Sequence, residues 1–308
     1  MNLSTAASVA GLLGLALLIG VAAAWLGLQP PGIGSNQRGT HWQANRLSRW
    51  FWCGIALSLL SGAADLLLRA SALTELPLTA AWPELPQVLS GTRFGTWWLT
   101  RMAAVLLLAL AWLWQRASTP VALATGALAV LLALVVSATG HAGDNGFDAL
   151  AVSNTLHISA GCLWGGTVLV YAFAVAPGMR RGQAAPAHSA ESAQRLSLLA
   201  ALALFTVLAT GIYNAWHLLG NLPALWTSTY GQILLLKLCF VAGMMMIGLN
   251  NRTRAVPRVR AWARPPQLSP MADAPLAHFQ RVLRIDAALF LFVLACAAVL
   301  SGTNPPTH

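Results

Sequence analysis

Residues 150–176 read LAVSNTLHISAGCLWGGTVLVYAFAVA and contain no aspartate, glutamate, lysine or arginine. About 20 apolar residues in a helix cross a hydrocarbon core roughly 30 Å thick, so this stretch predicts a membrane-spanning helix. A helix satisfies its own backbone hydrogen bonds in lipid, which an open strand does not. The stretch therefore points to an all-α membrane fold.

Seven more apolar blocks of similar length extend that conclusion to the whole chain. The composition, 57% hydrophobic and 8% charged over 308 residues, lies outside the range of soluble globular proteins. The sequence thus predicts a polytopic bundle of about eight transmembrane helices, with residues 1–308 as a single integral membrane domain in a lipid bilayer. We number these helices 1 to 8, from blocks at about 6–28, 47–70, 95–115, 120–139, 150–176, 196–219, 230–250 and 282–302.

The arginines predict the orientation of the helices. They concentrate in the loops after helices 1, 3, 5 and 7, whereas the loops after helices 4 and 6 carry no Lys or Arg. By the positive-inside rule the cation-rich loops are cytoplasmic and both termini lie outside. We call the end at which helices 1, 3, 5 and 7 begin the outer end. This distribution accounts for most of the net charge of +10 and argues against a nucleic-acid partner, because the cations form no soluble basic domain.

Several other classes of protein find no support in the sequence. The N-terminal apolar run has no positive beginning and is longer than that of a signal peptide, so we expect it to be retained as helix 1. The four cysteines fall within predicted helices, which argues against an extracellular disulfide framework. The chain has no Gly-rich phosphate loop, zinc-finger spacing or Gly-x-Ser-x-Gly motif, and we expect no enzymatic activity.

Short patterns recur four helices apart. SGAAD at 61–65 in helix 2 matches TGIYN at 210–214 in helix 6, and FGTWWLTR at 94–101 matches YGQILLLK at 230–237. An even number of crossings preserves direction, so the recurrence predicts two parallel four-helix halves related about the membrane normal. The predicted halves are residues 1–140 and 150–303.

The repeat places charged residues at matching positions. Asp65 in helix 2 and Arg101 in helix 3 lie at similar predicted depth, and each would lower the other's cost of burial. We interpret them first as a structural ion pair and second as a gate or proton site. Lys237 has no comparable partner, because Asn214 occupies the position that matches Asp65 and Asp286 lies near the inner end of helix 8.

Three histidines reach the predicted outer third of the membrane. His157 lies about seven residues into helix 5, roughly 10 Å at 1.5 Å per residue. His141 follows helix 4, and His217 lies near the outer end of helix 6. Metal-binding side chains at membrane depth are costly and are therefore functional candidates. Neutral imidazole binds Cu, Zn, Ni and Fe, so these residues predict an outer metal site. For His217 an interfacial position is the alternative, since tryptophans flank it.

Glycines next to His157 predict close helix packing. Gly161, Gly165 and Gly166 form a small-residue face on helix 5, which lets another helix approach closely. We expect that approach to bring a neighbouring side chain within reach of His157.

Together these residues resemble the copper resistance protein D (CopD) family of bacterial inner-membrane proteins. The resemblance covers about residues 90–305 by motif, and the first two helices by hydropathy alone. The motifs are GHA at 140–142, LH at 156–157, WGG at 164–166, TGIYNAW at 210–216, TYGQILLLK at 229–237, NR at 251–252 and RVLRID at 281–286.

The resemblance implies copper handling at the cytoplasmic membrane, as movement from the periplasm inward for uptake or resistance. It implies copper, as Cu(I) or Cu(II), and a separate periplasmic copper-binding donor protein. In such a membrane the outer side, on which both termini are expected, is the periplasm. The positions it carries over are His141 and His157, and less directly His217. Asp286 departs from the glutamate expected there. The chain also has no Met- or His-rich outer loop and no fused periplasmic copper-binding domain.

Two alternatives stay open at this point. Membrane histidines on separate helices also ligate haem b, and His157 and His217 would have to face each other across the haem. The protein would then be a membrane redox protein with a Soret band in its absorption spectrum. The other alternative is a copper-binding sensor or assembly protein that does not move the ion.

Overall fold

A computed structural model describes residues 2–28, 37–115, 119–139, 148–264 and 274–306. Within these ranges, eight helices are long and apolar enough to cross a membrane, and no residue is in a strand. The predicted all-α, polytopic membrane bundle is therefore confirmed. Helices 1 to 4 are Leu3–Leu28, Gln37–Thr74, Arg93–Gln115 and Thr119–Thr139. Helices 5 to 8 begin with Ala149–Val170, Pro186–Leu219, Thr229–Asn250 and Ala274–Ser301.

Several helices are longer at their inner ends than their apolar blocks. Helices 2, 6 and 8 begin at Gln37, Pro186 and Ala274, about eight to ten residues before the predicted starts. Helices 5 and 7 continue to Arg180 and Trp262. These extra turns are polar and basic, as expected of helix ends that extend beyond the hydrocarbon core.

Helices 5 and 7 each contain one wide turn at the same point relative to a proline. The π-helical turns are Tyr171–Val175 and Asn251–Ala255, and each is followed by a short α-helix with proline in its first turn, Ala176–Arg180 and Val256–Trp262. Proline removes one backbone donor and clashes with the carbonyl four residues earlier. The preceding turn widens to accommodate the ring, as is common at π-bulges.

Helices 1 and 5 form the centre of the bundle. Helix 1 lies against helices 2, 4, 5, 6 and 8. A Cβ added to Gly20 would overlap the backbone of Gly166, and one added to Gly166 would overlap the backbone of Ala16. One residue earlier on helix 5, Gly165 leaves room for the ring of Phe290 from helix 8. Small residues thus bring the two central helices to backbone contact.

The two sets of four helices have the same order of contacts. In the first set, helix 1 contacts helices 2 and 4, and helix 3 contacts helices 2 and 4. In the second set, helix 5 contacts helices 6 and 8, and helix 7 contacts helices 6 and 8. The internal repeat itself stays a prediction. This order of contacts is one that a repeat requires.

Candidate functional site

Equivalent hydroxyl caps fix the depth of Arg101 and Lys237. At the start of helix 3, Thr92 Oγ1 accepts from the Gly95 N–H at 2.9 Å and donates to a carbonyl of the preceding short helix, Leu85–Gly91. At the start of helix 7, Ser228 Oγ accepts from the Gly231 N–H at 3.0 Å and donates to the preceding short helix, Ala224–Thr227.

The glycines of the two aromatic-Gly pairs have a packing role. A Cβ on Gly95 would overlap the carbonyl of Leu89, and a Cβ on Gly231 would overlap that of Ala224. Both short helices can therefore rest on the first turn of the following long helix. The cation comes nine residues after the cap in each case, about 13 Å further along the axis. The sequence shows that the aromatic-Gly pairs recur, but it does not show the hydroxyl caps that precede them.

The expected contact between Asp65 and Arg101 is present. Arg101 Nη1 lies 2.8 Å from Asp65 Oδ2, and Arg101 Nη2 donates to Ser61 Oγ at 2.5 Å. Gly11 of helix 1 makes room for the guanidinium, since a Cβ there would lie 3.0 Å from Nη2. The guanidinium is thus bonded to two side chains of helix 2 in space that helix 1 leaves open, and the bonds lower the cost of a charge at membrane depth. Whether the pair also acts as a gate stays a prediction.

His157 is held by helix 6 through one ring nitrogen. Its Nδ1 lies 3.2 Å from the carbonyl oxygen of Val207 and 3.1 Å from Thr210 Oγ1. A carbonyl only accepts, so the hydrogen is on Nδ1. The Thr210 hydroxyl donates to the Thr206 carbonyl at 2.6 Å and so also accepts from Nδ1. Gly211 lets the ring approach, since a Cβ there would lie 3.1 Å from His157 Cε1.

This tautomer leaves Nε2 of His157 with a lone pair. No hydrogen bond to Nε2 is formed within the part of the chain that the structure describes. Metal-binding histidines characteristically donate their other N–H to a carbonyl or a similar acceptor, which fixes the ring and raises its basicity as a ligand. The Nδ1 side of His157 therefore has the kind of acceptor that the outer shell of a metal-binding histidine has.

The helix that holds His157 is not the one that the glycine face predicted. Gly165 and Gly166 do allow close approach, but of helices 8 and 1, and Gly161 has no neighbour within 4 Å of an added Cβ. The expectation that this face supplies the partner of His157 is wrong. The residue that matters is Gly211 on helix 6, which lies inside the recurring TGIYN pattern.

Amides and a hydroxyl from three helices lie between the level of His157 and the outer end. One turn outward, the Asn154 amide donates to Ser137 Oγ at 3.1 Å. The Asn214 amide is 3.5 Å from Asn154 Oδ1, at the long limit for a hydrogen bond. Asn214 is 7% exposed, and its Oδ1 is buried without a partner among the described residues. Helices 4, 5 and 6 thus present polar atoms on the outer side of His157.

The other two predicted ligands are not brought to His157 by the described residues. His217 is exposed, and its ring lies 4.4 Å from that of Tyr213, measured between centroids, on its own helix. His141 lies in residues 140–147, outside the described residues. Within the described ranges no three His, Cys, Asp or Glu side chains gather into a group able to hold a metal ion.

Lys237 enters the same region from helix 7. The rings of Phe240 and Phe292 stack at 5.1 Å, which sets the register of helices 7 and 8 and places Lys237 opposite Cys296. Lys237 lies at about the depth of His157, since each is eight residues from the start of its helix. In the described part of the chain, no carboxylate pairs with it.

Buried polar groups near the inner end form a second feature, of which the sequence analysis identified only Asp286. Asp286 is 3% exposed, and its Oδ1 has no partner among the described residues. Gln280 bridges helices, because it accepts from Arg180 at 3.1 Å and donates to the carbonyl of Ala172 in the π turn of helix 5 at 3.2 Å. The only sequence signal for this bridge was the proline that follows the π turn.

Comparison with known protein families identifies the family to which the chain is related. The family profile described as "Copper resistance protein D" matches residues 190–300, and that described as "Copper resistance protein D-like, N-terminal domain" matches residues 3–150.

The chain belongs to the copper resistance protein D family.

The matched ranges of this CopD family protein include the ion pair of the first half and Asn214 and Lys237 of the second. His157 falls between the two ranges. The inner membrane protein YebZ of Escherichia coli (strain K12) is 30% identical over 227 residues, which are 72% of this chain and 73% of the relative. No solved structure matches the chain. The resemblance drawn from motifs is confirmed, and it extends to helices 1 and 2.

Proposed function

We propose that this protein takes up copper at the periplasmic face of the cytoplasmic membrane and passes it inward, with His157 as the central ligand. The observation that carries the proposal is the pair of contacts that His157 Nδ1 makes with the Val207 carbonyl and Thr210 Oγ1, which place the hydrogen on Nδ1 and leave the lone pair of Nε2 for a metal. Imidazole accepts Cu(I) and Cu(II) alike. The family name supports copper as the ion, and the relative's description as an inner membrane protein supports the location.

One imidazole does not complete a copper site, so further ligands come from other segments. We propose His141, which follows helix 4, as the second ligand, and His217 as a more distant candidate. Asp148 is already engaged as the cap of helix 5, since Oδ1 accepts from the Ala151 N–H at 2.8 Å. A separate periplasmic copper-binding protein would deliver the ion, because the chain has no Met- or His-rich outer loop.

Replacing His157 by alanine tests the proposal directly. We expect the copper affinity of the purified variant to fall by more than the roughly 10–100-fold that typically follows loss of an outer-shell partner alone. Copper per protein is measured by mass spectrometry after loading, and copper accumulation is measured in expressing cells. His278→Ala is the control, since this histidine lies in the first turns of helix 8, at its inner end. Copper content and accumulation equal to wild type in His157→Ala would refute the proposal.

Replacing Thr210 by valine should have a smaller effect through the outer shell. Valine has the shape of threonine but removes one of the two acceptors of the His157 N–H, and the Val207 carbonyl remains. We therefore expect copper affinity to fall about 10-fold, the lower end for an outer-shell partner. Thr206→Val is the matched control, because its hydroxyl bonds to Leu202 one turn away. Equal affinity in the two variants would show that the hydroxyl has no such role.

Two further measurements separate copper movement from the alternatives. Copper flux into proteoliposomes distinguishes a transporter from a protein that only senses or stores the ion. An absorption spectrum of the purified protein distinguishes both from a haem protein, which would show a Soret band. The haem alternative requires His157 and His217 to face each other, and the described structure does not bring them together.

A further inference from the structure

Helices 5 and 6 meet through polar side chains at two successive levels. At the inner level, His157 Nδ1 lies 3.1 Å from Thr210 Oγ1. At the outer level, the Asn214 amide nitrogen lies 3.5 Å from Asn154 Oδ1. Asn154 precedes His157 by three residues and Asn214 follows Thr210 by four. Residues at these spacings are neighbours on a helix surface, with Cβ atoms about 5–6 Å apart. The four residues therefore form one closed group, which we call the outer quartet.

The orientation of the Asn214 side chain follows from a series of hydrogen bonds that begins on helix 4. Ser137 is fully buried and donates its one hydroxyl hydrogen to the Ala151 carbonyl at 3.0 Å, so its oxygen is left to accept. Asn154 Nδ2 donates to that oxygen at 3.1 Å, which turns Asn154 Oδ1 toward Asn214. A reversed Asn214 amide would place two acceptors face to face. Asn214 Oδ1 is therefore the atom at the free end of the series.

Two atoms of the outer quartet have a lone pair and no donor. Asn214 Oδ1 is buried without a hydrogen-bond partner among the described residues, and Asn214 as a whole is 7% exposed. His157 Nε2 accepts no hydrogen bond within the same ranges. A buried acceptor without a partner is unfavourable, and one cation satisfies two acceptors of the same group. The outer quartet thus offers one nitrogen and one oxygen ligand to a metal ion.

The ligand atoms of this region are nitrogen and oxygen rather than sulfur. Helices 4 and 6 contain no cysteine or methionine, and Cys162 is the only sulfur-containing residue in Ala149–Val170 of helix 5. Cys162 is buried five residues inward from His157, so its side chain points about 140° away around the helix axis. Sulfur ligands select Cu(I), whereas nitrogen and oxygen ligands in a tetragonal arrangement suit Cu(II).

We infer, on the basis of the proposed function, that Asn214 Oδ1 binds the same copper ion as His157 Nε2 and that the ion arrives as Cu(II). Asn214 lies five residues from the outer end of helix 6, about 8 Å at 1.5 Å per residue. An ion at this shallow depth keeps water in the positions that protein ligands do not fill. Asn214 then selects the oxidation state, because an amide oxygen is a poor ligand for the soft Cu(I) ion.

The test compares the Cu(II) and Cu(I) affinities of the full-length protein in lipid nanodiscs. Asn214→Leu keeps the approximate size of the side chain and removes the oxygen. We expect its Cu(II) affinity to fall at least about 10-fold, because loss of even an outer-shell partner typically has that effect. Its Cu(I) affinity should stay at the wild-type value. Both affinities are measured by competition with chelators of known affinity, and electron paramagnetic resonance of the Cu(II) form should show changed g and copper hyperfine values.

Asn251→Leu is the matched control for loss of a buried asparagine. Asn251 is also 7% exposed with an unpartnered Oδ1 in the described structure, but it lies in the π turn of helix 7 at the inner end. This variant should keep both affinities and the wild-type Cu(II) spectrum.

Asn214→Asp keeps the test decisive if Asn214→Leu does not fold. It retains an oxygen at this position and adds a negative charge, so it should bind Cu(II) at least as tightly as wild type. A carboxylate ligand must also alter the Cu(II) spectrum, and an unchanged spectrum in this variant overturns the inference.

The outcomes separate this inference from the proposed function. Equal Cu(II) affinity in Asn214→Leu and wild type overturns the inference. Equal losses of Cu(I) and Cu(II) affinity also overturn it, since they would give Asn214 a packing role alone. Wild type that binds Cu(I) but not Cu(II) overturns the inference and leaves the proposed function standing. If wild type binds neither ion, the proposed function fails as well.

Discussion

Replacing Gly166 by leucine is expected to abolish folded protein in the membrane. An added Cβ at this position would overlap the backbone of Ala16 in helix 1, and a backbone cannot move aside as a side chain does. Overpacking a close-packed interior costs about 1–3 kcal/mol, occasionally more, and here the two central helices would have to separate. The measurement is the monodisperse fraction of a fluorescent fusion on size-exclusion chromatography, with helix content by circular dichroism.

Gly161→Leu is the matched control for that substitution. Gly161 lies on the same helix, and an added Cβ there meets nothing within 4 Å. We expect this variant to give wild-type yield and helix content. A normal yield from Gly166→Leu would show that helices 1 and 5 do not pack through this glycine. A collapse of both variants would show instead that any leucine on this stretch is harmful.

The fold was predictable because lipid imposes one requirement on every crossing segment. Backbone groups in the hydrocarbon core must be paired within the helix, so the apolar blocks alone gave the number and order of the helices. The inner ends were not predictable in the same way. Residues 37–46 and 186–195 are helical but polar, and hydropathy reports the thickness of the core rather than the length of the helix.

Depth along a helix was predictable, and rotation about its axis was not. Counting residues placed Asp65 and Arg101 at one level, and they are in contact. His217 follows Asn214 by three residues on helix 6, so the two side chains point about 60° apart around the helix axis. Asn214 is buried, whereas His217 is exposed beside Tyr213.

The partner of His157 shows the same limit. Its depth followed from the sequence, but the helix that faces it depends on how all the helices pack. Gly161 and Gly211 are equally small, and only the packing distinguishes the one that lies against the imidazole. The tautomer of the ring depends on the backbone carbonyl of Val207. Every residue has such a carbonyl, so the sequence does not indicate which one lies near the imidazole.

Replacing Arg101 by methionine should destabilise the protein strongly, because it leaves Asp65 as an unpaired carboxylate within helix 2. Breaking a buried ion pair by removing one partner typically costs about 3–5 kcal/mol, whereas replacing both partners is often close to neutral. The pair is partly rather than fully buried, with side chains 13% and 30% exposed, so we expect the lower end, about 3 kcal/mol. The measurement is the midpoint of thermal unfolding in detergent, followed by a cysteine-reactive dye.

The double variant Asp65→Asn, Arg101→Met decides between the two interpretations of this pair. If the pair is only structural, removing both charges restores the unfolding midpoint and copper accumulation together, because no unpaired charge remains at membrane depth. If the pair is also a gate, the midpoint recovers while accumulation stays low. Recovery of neither would mean that Arg101 is needed for its bond to Ser61 and not for its charge. Since Asn214 already stands at the matching position in helix 6, the double variant also gives the first half the neutral amide of the second, and the structural interpretation expects that exchange to be tolerated.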